Sequence, residues 1–214
     1  VLPKKPMTRQ AFQIPDDRFV YLSTQSIFKY LPQHDDIYPK IAKAVPHACF
    51  VFIGNESESA TAKFQARLNS SFARYGLDAG QFCFFSKRLK FDDFLSLNMA
   101  ADVLLDSLEW SGGKTTLEAL SCSLPVVTSP GRFMRGRHAY AMLKRIGLPE
   151  TIGLDKAGYI RIAVRLAHDS LFYADVKSKI RTGCNKLYDD YDFINQLENF
   201  YKSVVKSHHN HSEW

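Results

Sequence analysis

Three features of this sequence predict an α/β fold, a parallel sheet with helices on both faces followed by a helical C-terminal segment. Short β-rich apolar runs alternate with stretches of helical spacing. One run, Ala48-Cys-Phe-Val-Phe-Ile-Gly54, is continuously apolar, as in a strand covered on both faces. A third feature is a glycine pair, Gly112-Gly113, set between an apolar run ending at Asp106 and a helix carrying Glu118.

The elements follow in order. A first strand is expected over 19–23, bounded by Pro15-Asp16-Asp17. A helix follows over 37–45, with Pro39 near its start where proline is tolerated. The second strand spans 48–54. Helical spacing of Phe64, Leu68 and Phe72 marks a helix over 60–75 that Gly76 can end. A third strand is expected over 81–85, a helix over 92–101 with Phe94, Leu95 and Leu97 on its apolar side, and a fourth strand over 102–106. A helix over 115–121 leads to a fifth strand at 125–128, a helix over 136–146 and a last short strand at 148–152. The remainder, from 155 to about 207, reads as helical, with apolar faces at Ile160, Val164 and Leu166 and at Phe193, Leu197 and Phe200. The expected organisation is a lobe over 1–154, helices over 155–206 packed on it, and a flexible tail over 207–214.

Composition narrows the classes of function. With 214 residues, 45% hydrophobic and 13% aromatic, the chain can bury a sizeable core. The formal charge of +6 comes from scattered basic residues, so no nucleic-acid footprint is expected. No apolar run approaches the roughly 20 residues that span a bilayer, and no membrane partner is expected. Cys49, Cys83, Cys122 and Cys184 form no CxxC pair. They read as buried free thiols of a reducing compartment, hence a cytoplasmic location. The chain starts with Val1 rather than methionine and reads as part of a longer polypeptide.

Ligands of such folds bind beyond the carboxyl ends of the strands. The loops there hold Lys29, Glu56, Arg88, the Gly112-Gly113-Lys114 turn and the Gly131-Arg132 segment. A helix start after a glycine turn offers unpaired N–H groups and a favourable dipole for phosphate; an ordinary strand-to-helix turn would look the same. The first strand is not followed by the GxGxxG dinucleotide fingerprint. Gly-Gly-Lys-Thr-Thr lacks the leading glycine of a Walker A loop and follows the fourth strand, which argues against an ATPase. There is neither a GxSxG elbow nor an HExxH helix, and His34, His47, His138 and His168 are isolated.

Four ordered landmarks carry a family resemblance: Phe19-Val-Tyr-Leu-Ser-Thr-Gln-Ser-Ile-Phe-Lys29-Tyr-Leu-Pro32; Phe84-Phe-Ser-Lys-Arg-Leu-Lys-Phe-Asp-Asp-Phe94; Ala101 to Asp106 running into Ser111-Gly-Gly-Lys-Thr-Thr-Leu-Glu118; and Pro125-Val-Val-Thr-Ser-Pro-Gly131-Arg-Phe-Met-Arg-Gly-Arg137. From about Met7 to Val205 the chain resembles the C-terminal half of the O-GlcNAc transferase and SPINDLY-like group. These are glycosyltransferases of GT-B fold, often with tetratricopeptide repeats upstream.

That resemblance implies the Rossmann-like donor lobe of a glycosyltransferase, binding a UDP-sugar without a metal or other cofactor. It casts Lys29 as the lysine that contacts the diphosphate, with a catalytic role as UDP leaves. Gly112, Gly113, Lys114 and Thr115 match the helix start that binds the diphosphate, and Glu118 the acid on the ribose hydroxyls. Leu89 holds the loop position whose backbone reads uracil, and Phe94 a base-stacking position. Phe94 stands where animal enzymes usually have histidine, and Lys114 where threonine is common; Phe94 could instead be a core residue. The implied partners are the donor, a protein acceptor such as a Ser/Thr-bearing chain, the missing N-terminal lobe and upstream repeats. A general base, if there is one, would lie outside this chain. Other readings are a non-catalytic sugar-nucleotide-binding module and a GT-B enzyme with a non-protein acceptor.

Overall fold

The computed structural model describes residues 2–54 and 57–209. Five parallel strands form one sheet: β1 Phe19–Ser23, β2 Ala48–Ile53, β3 Cys83–Ser86, β4 Val103–Leu105 and β5 Val126–Val127. Their order is β3-β2-β1-β4-β5. The chain winds outward from β1 through β2 to β3, then crosses back so that β4 pairs with the other edge of β1, Tyr21 opposite Val103 and Leu22 opposite Leu104. The strand order therefore reverses between β1 and β4, which opens a crevice at their carboxyl ends.

Eight α-helices accompany the sheet among the described residues: α1 Ile37–Ala44, α2 Glu58–Ala73, α3 Phe91–Ala100, α4 Lys114–Ser121, α5 His138–Arg145, α6 Lys156–His168, α7 Ser170–Gly183 and α8 Tyr191–His209. Side chains alternate faces along a strand, and here both sets are buried. Tyr21, Phe50 and Phe52 point to one face. There Tyr38 of α1 meets the Phe50 and Phe52 rings at 5.4 and 5.1 Å, Phe64 of α2 meets Phe52 at 5.2 Å, and the Tyr21 hydroxyl donates to the Ala163 carbonyl of α6 at 2.8 Å. Val20, Leu22, Cys49 and Val51 alternate with them and are equally buried. Each such large apolar side chain contributes about 1.5–3 kcal/mol by leaving water.

The expected elements recur with local shifts. Gln81, expected to begin β3, instead ends the 3₁₀ turn Ala79–Gln81, where the Asp78 carboxylate accepts from Gly80 N–H at 2.9 Å, and the strand starts at Cys83. The strand expected at 148–152 is a 3₁₀ turn, Pro149–Thr151, with a single parallel bridge from Thr128 to Ile152. Pro149 has no N–H for a ladder, and its ring fixes a turn-compatible φ. The helix expected from 136 starts at His138, after the 3₁₀ turn Met134–Gly136.

The helical remainder is three helices. Asp155 caps α6 by accepting from Gly158 N–H at 2.6 Å, and Asp169 ends α6 and caps α7 by accepting from Phe172 N–H at 2.9 Å. Tyr159, Ala163 and Leu166 of α6 and Phe172, Val176 and Ile180 of α7 join the core. Helix α8 stands off from it, with every residue from 191 to 207 exposed. It runs through 207–209 of the expected tail; residues 210–214 lie outside the described residues, as does Glu56.

Candidate functional site

The crevice between β1 and β4 is built on Asp106, which follows β4 and is 5% exposed. Its carboxylate accepts from Gly112 N–H, the Ser111 hydroxyl and the Thr128 hydroxyl, each at 2.7 Å. Burial pushes this carboxyl above its ordinary range, and the three donors pull against that shift. The Tyr159 hydroxyl donates to the Asp106 carbonyl at 2.9 Å, while Ser111 Oγ accepts from Ala139 N–H at 2.9 Å near the start of α5. One buried acid thus holds the loop after β4 to those around it.

That anchoring sets the glycine turn. A Cβ at Gly112 would sit 2.6 Å from Thr115 Oγ1, 2.7 Å from Thr116 Oγ1 and 3.0 Å from Gln25 Nε2, so no larger residue fits. Gly113 has nothing within 4 Å of its own Cβ position and opens onto free space. It is the N-cap of α4, and no side chain caps that helix. The Thr116 hydroxyl is buried without a partner. The start of α4 therefore offers backbone N–H groups and the positive end of a helix dipole to an anion.

Lys29 ends a 3₁₀ turn, Ile27–Lys29, in the loop after β1. Its ammonium donates to Gln25 Oε1 at 3.0 Å and lies 5.7 Å from the centre of the Trp110 ring. Gln25 is 7% exposed, and its N–H donates to the Tyr30 hydroxyl at 3.0 Å. Because the Gln25 amide nitrogen abuts Gly112, this one side chain connects the lysine to the glycine turn. The sequence pattern did not single out Gln25 or Trp110. The available signal was position: both lie in loops at the carboxyl ends of β1 and β4, which only the strand order makes neighbours.

A second group lies along α4. Glu118 has a side chain 13% exposed, and Lys114 Nζ sits 3.4 Å from its Oε1. The same ammonium lies 5.3 Å from the centre of the Phe91 ring at the start of α3. Thr115 packs its hydroxyl back on Gly112. Leu89, in the loop between β3 and α3, is half-buried against the core, whereas Phe94 is half-buried and outside the core cluster. The structure thus joins Lys29 to Gly112, and Lys114 to Glu118. It places Leu89 and Phe94 on the neighbouring β3–α3 side. Between these loops, Gln25, Ser26, Gly54 and Arg88 line a cleft of about 320 Å³. Among the described residues no cluster of three or more His, Cys, Asp or Glu could hold a metal ion, and no helix is long and apolar enough to cross a membrane.

Comparison with known proteins bears on this geometry. The profile of glycosyl transferase family 41 matches residues 4–196. The UDP-N-acetylglucosamine–peptide N-acetylglucosaminyltransferase of Caenorhabditis elegans is 26% identical over 207 residues, 93% of this chain and 17% of that protein. The Petunia hybrida SPINDLY protein, a probable enzyme of the same name, is 24% identical over 85% of this chain and 20% of its own length. A mutant of Thermobaculum terrenum O-GlcNAc transferase superposes with a TM-score of 0.78 at 26% identity, covering 88% of this chain and 36% of that one. The chain therefore spans well under half the length of these relatives.

Proposed function

The chain belongs to glycosyl transferase family 41, and from that premise we propose that it is the donor-binding lobe of an enzyme that transfers N-acetylglucosamine from UDP to Ser or Thr of a protein. The observation that carries the reading is the Gly112-Gly113 start of α4, uncapped and connected through Gln25 to the Lys29 ammonium. The names of the C. elegans and Petunia relatives support the donor and the peptide acceptor.

In this reading the diphosphate sits at the start of α4, on the N–H groups near Gly113, Lys114 and Thr115. Lys29 faces the β-phosphate, where negative charge grows as the sugar leaves; a fixed cation there stabilises the transition state more than the bound donor. Lys29 supplies the positive charge in this reading, and no metal is proposed. Glu118 accepts from the ribose hydroxyls, for which Lys114 must release it. Phe94 lies against the uracil and the Leu89 backbone reads its edge. A second lobe and upstream tetratricopeptide repeats, from the rest of a longer polypeptide, hold the acceptor and exclude water. The cytoplasm is the proposed location, supported by the four free cysteines.

Lys29→Ala in the full-length polypeptide tests the reading, with UDP release from UDP-N-acetylglucosamine measured with and without EDTA. Turnover should fall by more than donor affinity, the lost contact being worth about 2–4 kcal/mol in the transition state. EDTA should change neither protein. Near-wild-type turnover of the variant would refute the role given to Lys29.

A further inference from the structure

We propose that the exposed aromatic and arginine surface beside Lys29 docks the acceptor, and that it selects an acidic polypeptide segment. This rests on the donor reading above, which places the reacting end of the sugar next to Lys29. Phe28, Trp110, Phe133 and Met134 are 68%, 38%, 56% and 78% exposed. Phe28 meets Trp110 edge-on at 6.2 Å. The Trp110 ring carries Lys29 Nζ at 5.7 Å and the Arg135 guanidinium at 5.5 Å. Arg135 also covers Phe133 at 4.8 Å, and Arg132 lies 5.6 Å from the same ring. The surface thus runs without a break from the phosphate lysine to the loop after β5.

The loop is held in place. Ser111 N–H donates to the Arg135 carbonyl at 2.7 Å, and Gly131 N–H to the Gly136 carbonyl at 2.9 Å. A Cβ on Gly136 would lie 3.1 Å from Glu109 Cα, so the two loops touch backbone to backbone. Glu109 itself is held in the left-handed region, at φ 66°. Backbone strain of this kind persists only where the surroundings impose it. A fixed patch of Trp, Phe, Met and Arg is the composition found at the centre of binding interfaces.

Charge selects the occupant. Both guanidiniums lie against aromatic rings, which leaves N–H donors for a carboxylate to accept from in pairs. Two carboxylates border this surface: Glu109 is met by His34 Nε2 at 3.1 Å, and Asp155 accepts from Gly158 N–H as the cap of α6. Glu109, Pro130, Arg132, Phe133 and Leu154 line a groove of about 440 Å³ alongside, room for an extended chain.

The test uses the full-length polypeptide and fluorescent serine peptides flanked by Asp and Glu, by Lys, or by neutral residues. Wild type should bind the acidic peptide most tightly. Arg132→Glu with Arg135→Glu should weaken that binding by at least about tenfold, the worth of one charge-assisted contact, and improve binding of the Lys-flanked peptide. UDP affinity and acceptor-free UDP release should stay unchanged. Equal binding of the three peptides by wild type, or an unaltered preference in the double variant, would overturn the proposal while leaving the donor reading standing. A double variant that loses UDP affinity instead of peptide preference would also overturn it. Peptide discrimination without UDP release by wild type would support the surface and count against the donor reading.

Discussion

The Lys29 ammonium donates to Gln25 Oε1 at 3.0 Å, while the amide nitrogen of the same glutamine abuts Gly112 at the start of α4. A buried neutral side chain thus links the Lys29 ammonium to the glycine turn. Gln25→Leu keeps most of the volume and removes the acceptor. Turnover of the full-length enzyme should drop about tenfold, in line with one hydrogen bond to a charged group, with donor affinity changed less. Stopped-flow binding and steady-state rates separate the two; equal losses in both would make Gln25 a plain binding residue.

The two glycines of the turn should behave differently. Gly112→Ala drives a methyl group into Thr115 and Thr116 at 2.6 and 2.7 Å, so it should cost about 1–3 kcal/mol of stability, as overpacking does, and abolish UDP binding. Gly113→Ala meets open space at φ −86° and should fold like wild type. Urea denaturation of the pair checks this. Matching stabilities would mean that the turn is not fixed as described.

Asp106 gives a pH dependence. Burial raises its folded pKa above the unfolded value of about 3.9. Its contribution is therefore fully present below that unfolded value and is lost as pH rises through the higher folded pKa. Asp106→Asn does not titrate, so the variant should gain stability relative to wild type as pH rises from about 4. Chemical denaturation of both proteins at pH 4 and 7 measures the difference, and a gap that is constant or moves the other way would contradict this assignment.

Much of the fold was legible because its signals are local. The runs at 19–23 and 48–53 are strands whichever neighbours they find, and Gly76, at φ 71°, ends the turn after α2 as expected. What was not legible depends on distant pairing or on caps inside a helical pattern. Asp169 splits one helical stretch in two because its carboxylate reaches Phe172 N–H, a choice periodicity does not record. Pro149 turns the short strand expected at 148–152 into a 3₁₀ turn. Phe193, Leu197 and Phe200 have the spacing of a packed face, yet among the described residues they stay exposed. That Lys29 and the glycine turn lie in the loops after β1 and β4 was readable from position along the chain. Gln25 was not, because its role exists only once β1 and β4 lie side by side.

Calorimetry on the 214-residue chain with UDP and ADP probes the proposed uridine diphosphate site of this lobe. UDP should bind, and ADP should bind at least about tenfold more weakly, a difference of roughly 1.4 kcal/mol. Glu118→Ala should weaken UDP and leave pyrophosphate binding unchanged. Equal binding of UDP and ADP, or no binding of either at millimolar concentration, would contradict the proposed site.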